Sequence, residues 1–232
     1  MENITISKSK KNIKDIKDLD QLTISFQHSD YPLSLETTEE LEERYFGEIY
    51  LDSSFSGNNK VLIGKVDFIY INLCKYINNK INIGLDDLMW GIDSDVYLIY
   101  QTLYDYNTVS FSDKIEKELG YDIFNSNFVV LSNLEILPQY RNYNIGEMVL
   151  KFATDFFNEK AGFIVLKSFP KQFELFENSD PWRTEMEYKN MCKKFQGSPK
   201  TAQKSLDKFY SKHMTKLKSY KGEGSIFYSI LS

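Results

Sequence analysis

The spacing of apolar residues changes period several times along the chain, and each change predicts an element. Residues 22–27 alternate apolar and polar as a short strand does. Residues 37–44 are acidic and helix-prone. Residues 46–51 and 61–73 are rich in β-branched and aromatic side chains, and Gly57, Asn58 and Asn59 between them supply turn chemistry, so the two runs predict a hairpin. Val96, Tyr97, Tyr100 and Leu103 recur at helical spacing and predict a helix over 93–104. A shorter helix is expected over 111–119, opened by a serine and stopped by Gly120.

The second half is patterned more sharply. Residues 127–137 read as a strand. Residues 145–158 read as an amphipathic helix, with Val149, Phe152, Ala153 and Phe156 on its apolar face. Residues 162–169 form a mostly apolar run of the kind buried in a parallel sheet. Strand, four-turn helix and buried strand together predict a β-α-β crossover with a parallel pair. A helix is expected near 184–195. Another opens at Ser198, an N-cap, with Pro199 in the first helical position. Its apolar face is expected to carry Leu206, Phe209, Tyr210, His213 and Leu217. Gly222 and Gly224 predict a turn into a closing strand over 225–231.

Composition narrows the class. A chain of 232 residues with 42% hydrophobic and 15% aromatic residues can build one substantial core. Residues 1–20 read as a solvated basic arm, with Lys8, Lys10, Lys11, Lys14 and Lys17 diluted by aspartates, and 21–232 as a single domain. The net charge of −5 and only three arginines (Arg44, Arg141 and Arg183) argue against a nucleic-acid partner. Cys74, Cys192, His28 and His213 have no spacing that suggests a metal site, and none is expected. No secretory leader or membrane-length apolar run is seen, so the expected location is the cytoplasm, as a monomer or homodimer.

The chemistry concentrates in residues 134–147. A strand ends near Pro138, a polar loop follows, and a helix begins near Ile145. The first turn of that helix has unpaired backbone N–H groups and the positive end of the dipole, which together attract anions. Gly146 has no side chain to keep a phosphate from the backbone. Asn144 tolerates a left-handed conformation better than most residues. Arg141 stands at the mouth of the loop.

Pro138, Tyr140, Arg141, Ile145 and Gly146 resemble the acetyl-CoA-binding signature of the GNAT superfamily of acyl-CoA-dependent N-acetyltransferases; Asn144 departs from its first glycine. Residues 162–169 look like the fifth strand of that fold, which splays from the fourth to admit pantetheine. Leu206, Phe209 and Tyr210 resemble its Leu-x-x-Phe-Tyr helix, although the Gly-Phe pair that often follows is replaced by Met214 and Thr215. The resemblance implies an α/β GNAT fold: a mixed, mostly antiparallel sheet with a central parallel strand pair, flanked by helices on both faces. It implies acetyl transfer from acetyl-CoA to an amine by direct attack, with no metal. CoA is expected at Ile136, Leu137 and the run Arg141, Asn142, Tyr143, Asn144, Ile145, Gly146 and Glu147, with a backbone N–H near Ile136 or Leu137 facing the thioester oxygen. Tyr210 corresponds to the tyrosine that protonates the departing thiolate in many such enzymes.

Strand alternation separately places Asn133 and Glu135 on one face, and two polar residues there require a wet cavity. Glu135 is therefore the candidate base, with a strand-end ion pair as the competing account. The acceptor is expected to lie against 86–106 and 173–197, where Trp90, Asp93, Asp95, Glu174, Glu177, Asp180 and Trp182 suit a cationic amine. Asn144 and the missing Gly-Phe pair favour the alternative of a non-catalytic acyl-CoA-binding or interaction domain.

Overall fold

The computed structural model describes residues 22–29, 41–52, 60–79, 84–105, 110–119, 125–137, 140–170, 173, 198–220 and 224–231. The lysine-rich arm, residues 37–40, the turn at 54–59, the helix expected at 184–195 and Gly222 lie outside them.

Strands β1 (Leu22–Ser29), β2 (Glu42–Asp52) and β3 (Lys60–Ile71) form an antiparallel meander. Helices α1 (Leu73–Asn79), α2 (Leu85–Ile92), α3 (Ser94–Leu103) and α4 (Asp113–Leu119) follow. Then come β4 (Phe128–Ile136), α5 (Ile145–Phe157), β5 (Phe163–Ser168), α6 (Pro199–Tyr210), β6 (Thr215–Tyr220) and β7 (Gly224–Ile230). The seven strands form one sheet in the order β1-β2-β3-β4-β5-β7-β6, antiparallel except for the β4–β5 pair. The predicted hairpin and the strand-helix-strand unit with its parallel pair are both present.

Apolar residues fill both sides of this sheet. Phe128 and Val130 of β4 face one core, with Leu73, Met89, Val96, Ile99, Tyr100 and Ile115 from α1–α4. Val129 and Leu131 face the other, with Ile145, Val149, Ala153 and Phe157 of α5 and Tyr210 of α6. Burial on both faces explains the unbroken apolar run that opens β4. Each such large side chain, taken fully from water, contributes about 1.5–3 kcal/mol.

Several boundaries differ from the sequence reading. Glu42, Glu43 and Arg44 belong to β2, not to a helix, because each pairs with a residue of β3. The final helix stops at Tyr210 rather than reaching Leu217. The N–H groups of His213 and Met214 turn back to the Tyr210 carbonyl, and Thr215–Tyr220 then pairs with β7. His213 sits in that turn, and Leu217 enters the α1–α4 core. On α5 the buried stripe is centred on Val149, Ala153 and Phe157. Phe156 is 40% exposed and stacks on Phe26 of β1.

Candidate functional site

The parallel pair is short. Phe128, Val129 and Val130 lie opposite Phe163, Ile164 and Val165, and no pairing between the two strands continues beyond them. Past Val165, β5 stays with β7, from Leu166 opposite Phe227 to Ser168 opposite Ser225. The sheet therefore opens between Leu131–Ile136 of β4 and Leu166–Ser168 of β5.

Both ends of the opening are fastened. At the closed end the Gly162 N–H donates to the Asn127 carbonyl at 2.9 Å. A Cβ on Gly162 would lie 2.1 Å from the Asn125 carbonyl oxygen, so only glycine fits that close approach. At the open end Ser168 Oγ donates to Asp207 Oδ1 at 2.7 Å. Gln203 Nε2 donates to the same carboxylate oxygen at 2.7 Å and to the Ser168 carbonyl at 2.9 Å. Ser225 Oγ donates to Asp207 Oδ2 at 2.8 Å, and Lys216 Nζ pairs with it at 3.0 Å. This knot ties the end of β5 to α6, β6 and β7, away from β4. Burial alone raises the Asp207 pKa, but hydrogen bonds from Ser168, Lys216, Gln203 and Ser225 outweigh it and hold the carboxyl below its ordinary value.

β4 changes character where it leaves β5. Phe68 pairs with Leu131 and Asp67 with Asn133, so Ser132 is an extra, bulged residue, and its hydroxyl donates to the Asp67 carbonyl at 3.1 Å. The bulge reverses the alternation. Leu134 and Ile136 continue on the α5–α6 side, while Asn133 and Glu135 turn toward the α1–α4 side. Glu135 is buried, at 6% exposure, and lies across from Lys65 in the register. Asn133 Nδ2 donates to Asp67 Oδ2 at 3.1 Å, but its Oδ1 is buried with no hydrogen-bond partner. Buried acceptors are normally paired, so this one is open to a donor.

The two candidate oxyanion donors separate. The Leu137 N–H is already bound to the Ile63 carbonyl at 2.9 Å. That bond puts Gly64 and Ile136 in a non-hydrogen-bonded pair, so the polar groups of Ile136 point away from β3, toward the opening. Consistently, the Ile136 carbonyl accepts from Arg141 Nε at 2.9 Å.

The loop after β4 leads into α5. Pro138 and Gln139 lie outside the described residues; Tyr140 N–H closes a turn onto the Leu137 carbonyl at 2.9 Å. Asn142 and Asn144 both have positive φ, 67° and 59°, and Asn144 is the N-cap of α5 with no side-chain capping bond. The left-handed conformation read for Asn144 is therefore present. The helix it starts is 13 residues long, and the one acidic side chain of its first turn, Glu147, is exposed. Tyr143 and Ile145 pack into the α5–α6 core.

Gly146 has a second role that its sequence neighbours do not reveal. A Cβ there would lie 2.9 Å from Phe209 Cζ, so the missing side chain lets α6 seat against the start of α5. Tyr210 follows, 8% exposed, its ring against Phe209 and Phe227 at 5.1 and 5.7 Å between centroids. Burial pushes its phenol up to about 12. The fold thus brings Tyr210 and the Arg141–Glu147 run to one side of the sheet and sends the Glu135 side chain to the other, with the β4–β5 opening between.

Asp67, the partner of Asn133, and the Ser168–Gln203–Asp207–Ser225 knot were missed by sequence reasoning, because cross-strand register and contacts between distant segments leave no local pattern. Among the described residues no group of three or more histidine, cysteine or carboxylate side chains could hold a metal, and no helix is long and apolar enough to cross a membrane. No family sequence model matches the chain, and no curated protein matches it in sequence.

Proposed function

We propose that the chain is a GNAT-like N-acyltransferase that takes acetyl-CoA and an amine. The observation that carries this reading is the parallel β4–β5 pair that parts after three rows, followed directly by a left-handed start to α5. The opening suits an extended pantetheine arm. The first turn of α5 suits a pyrophosphate, with Arg141 alongside.

In the reaction the amine nitrogen attacks the thioester carbonyl carbon, the carbonyl oxygen takes up negative charge, and the C–S bond then breaks. The Ile136 N–H faces the opening and can stabilise that oxygen. Glu135 takes a proton from the amine, directly or through water. Asn133 Oδ1, beside the Asp67 carboxylate, can accept from an amine N–H. Tyr210 holds a proton near the departing sulfur. A second reading, a non-catalytic acyl-CoA-binding domain, is favoured by the engaged Leu137 N–H and by Tyr210. A phenol at about 12 is a weak donor to a thiolate whose conjugate thiol titrates near 8.5.

The test mixes the full chain with acetyl-CoA and a panel of primary amines and follows release of free CoA thiol. Amine-dependent release supports transfer. Thermal stabilisation by CoA without release supports the second reading, and neither response rejects both.

A further inference from the structure

On the α1–α4 side of the sheet, a hollow of about 590 Å³ lies where α2 meets α3, with Asp86, Asp87, Trp90, Tyr97 and Tyr100 on its walls. Its size falls in the range of small-molecule pockets. Trp90 is 64% exposed, although Leu88 and Met89 beside it are buried and anchor α2 in the core. An indole left in water on a well-anchored helix is uncommon. Its ring meets that of Tyr97 at 89°, with 5.3 Å between centroids, so the two aromatics stand as perpendicular walls.

The carboxylates beside them differ in their partners. Asp95, on the neighbouring helix, is paired with Lys167 at 2.7 Å, whereas Asp86 and Asp87 have no cationic partner among the described residues. Both stand in the first turn of α2, where the helix dipole favours acids. That preference accounts for the carboxylates but not for the exposed indole or the hollow. Burial and the neighbouring Asp87 charge raise the Asp86 pKa.

We propose that this groove binds a small aliphatic organic cation, with its ammonium against the Trp90 and Tyr97 rings and the Asp86 and Asp87 carboxylates. Ring faces attract ammonium groups through their quadrupole, and adjacent carboxylates add the charge. An anion is repelled, and a neutral chain leaves the carboxylates without a partner. The proposal stands on the groove alone. On the acyl-transfer reading it deepens that function by selecting amines with a second positive charge, since the groove and the Asn133 and Glu135 side chains share one face of the sheet.

Calorimetric titration of the full chain with spermidine tests it, with 1,8-octanediol as the uncharged chain. Spermidine is expected to bind, more weakly as salt is raised, and the diol not to bind. Trp90→Ala, at an exposed position, and the pair Asp86→Asn with Asp87→Asn are each expected to weaken binding about tenfold, the size of a lost cation–π or charge contact. Absence of spermidine binding, binding unchanged by both variants, or equal binding of the diol overturns the proposal. Tighter binding of a lysine-rich peptide than of spermidine overturns it in favour of a protein partner. Stabilisation by CoA is measured on the same variants. Its absence from every variant and the parent, with spermidine binding intact, counts against acyl transfer and leaves the groove standing.

Discussion

On the acyl-transfer reading, Glu135 and Tyr210 move protons from opposite sides of the sheet across one opening. Glu135 is buried on a strand whose neighbours at that level are polar, and Glu135→Gln keeps its shape while removing its capacity to accept a proton. Turnover with the best amine is expected to fall by roughly tenfold to a thousandfold, with partial recovery at high pH as the free amine deprotonates in solution. Stabilisation by CoA should be unchanged. Equal turnover at neutral pH would show that the amine loses its proton elsewhere. Tyr210 carries two separable signatures. Tyr210→Phe is expected to lower turnover by about tenfold and to change stability by less than about 1 kcal/mol. The second signature is alkaline. The folded phenol titrates near 12 against an ordinary 10.0, so the folded state binds more protons between those values. The stability this contributes is complete below pH 10 and is lost as pH rises toward 12. The parent should therefore lose melting temperature more steeply over that interval than Tyr210→Phe. Parallel slopes would mean that the hydroxyl is solvated rather than buried.

At the scale of elements, what could be read beforehand was what has a period or a punctuation mark. The Ser198-Pro199 start of α6, the start of α3 at Ser94 and the apolar strand at 163–168 all lie within a few residues of where the pattern puts them. The end of α6 is not legible because His213 and Leu217 continue its helical spacing by coincidence, while Thr215–Tyr220 is a strand held by pairing with β7, its register shifted between Lys216 and Lys218. The bulge at Ser132 has no sequence mark either, yet it decides which side of the sheet Glu135 faces. Of the site, the left-handed Asn144 was legible because few residue types adopt that conformation. Asn144→Gly should therefore hold or raise stability, whereas Asn144→Val should cost about 1–2 kcal/mol and weaken stabilisation by CoA. Similar melting curves for the two variants would place residue 144 in an ordinary helical conformation. The knot that holds β5 away from β4 makes a further claim. Asp207→Ala removes the carboxylate that accepts from the buried hydroxyls of Ser168 and Ser225, and the expected loss is about 1–3 kcal/mol at neutral pH. Because the folded carboxyl titrates below its ordinary 3.8, its contribution is present above that value and disappears as pH falls through the lowered one. The difference between parent and variant should shrink in acid. A constant difference would assign the loss to packing instead of charge.

At the scale of the whole molecule, the α/β architecture follows from one sheet with two apolar faces, each of which needs a layer of helices. The strand order puts β4–β5, the only parallel pair among the described strands, in the middle, and the opening in that pair lies between the two layers. Anything bound there touches β4, β5 and the start of α5 together, so it should stabilise the fold as a unit instead of ordering one loop. CoA is expected to raise the melting temperature in a single cooperative transition, by an amount that grows with the logarithm of its concentration. At about a hundred times the dissociation constant the gain is about 2.7 kcal/mol. The placement of the pyrophosphate is tested by charge reversal at Arg141, because Arg141→Glu puts a negative side chain beside the first turn of α5. That variant should lose most of the CoA shift and keep its response to spermidine, since the α2–α3 groove is built from other elements. A parent chain that does not shift at millimolar CoA would remove acyl-CoA from the assignment. A shift that survives Arg141→Glu unchanged would move the binding site away from the loop after β4.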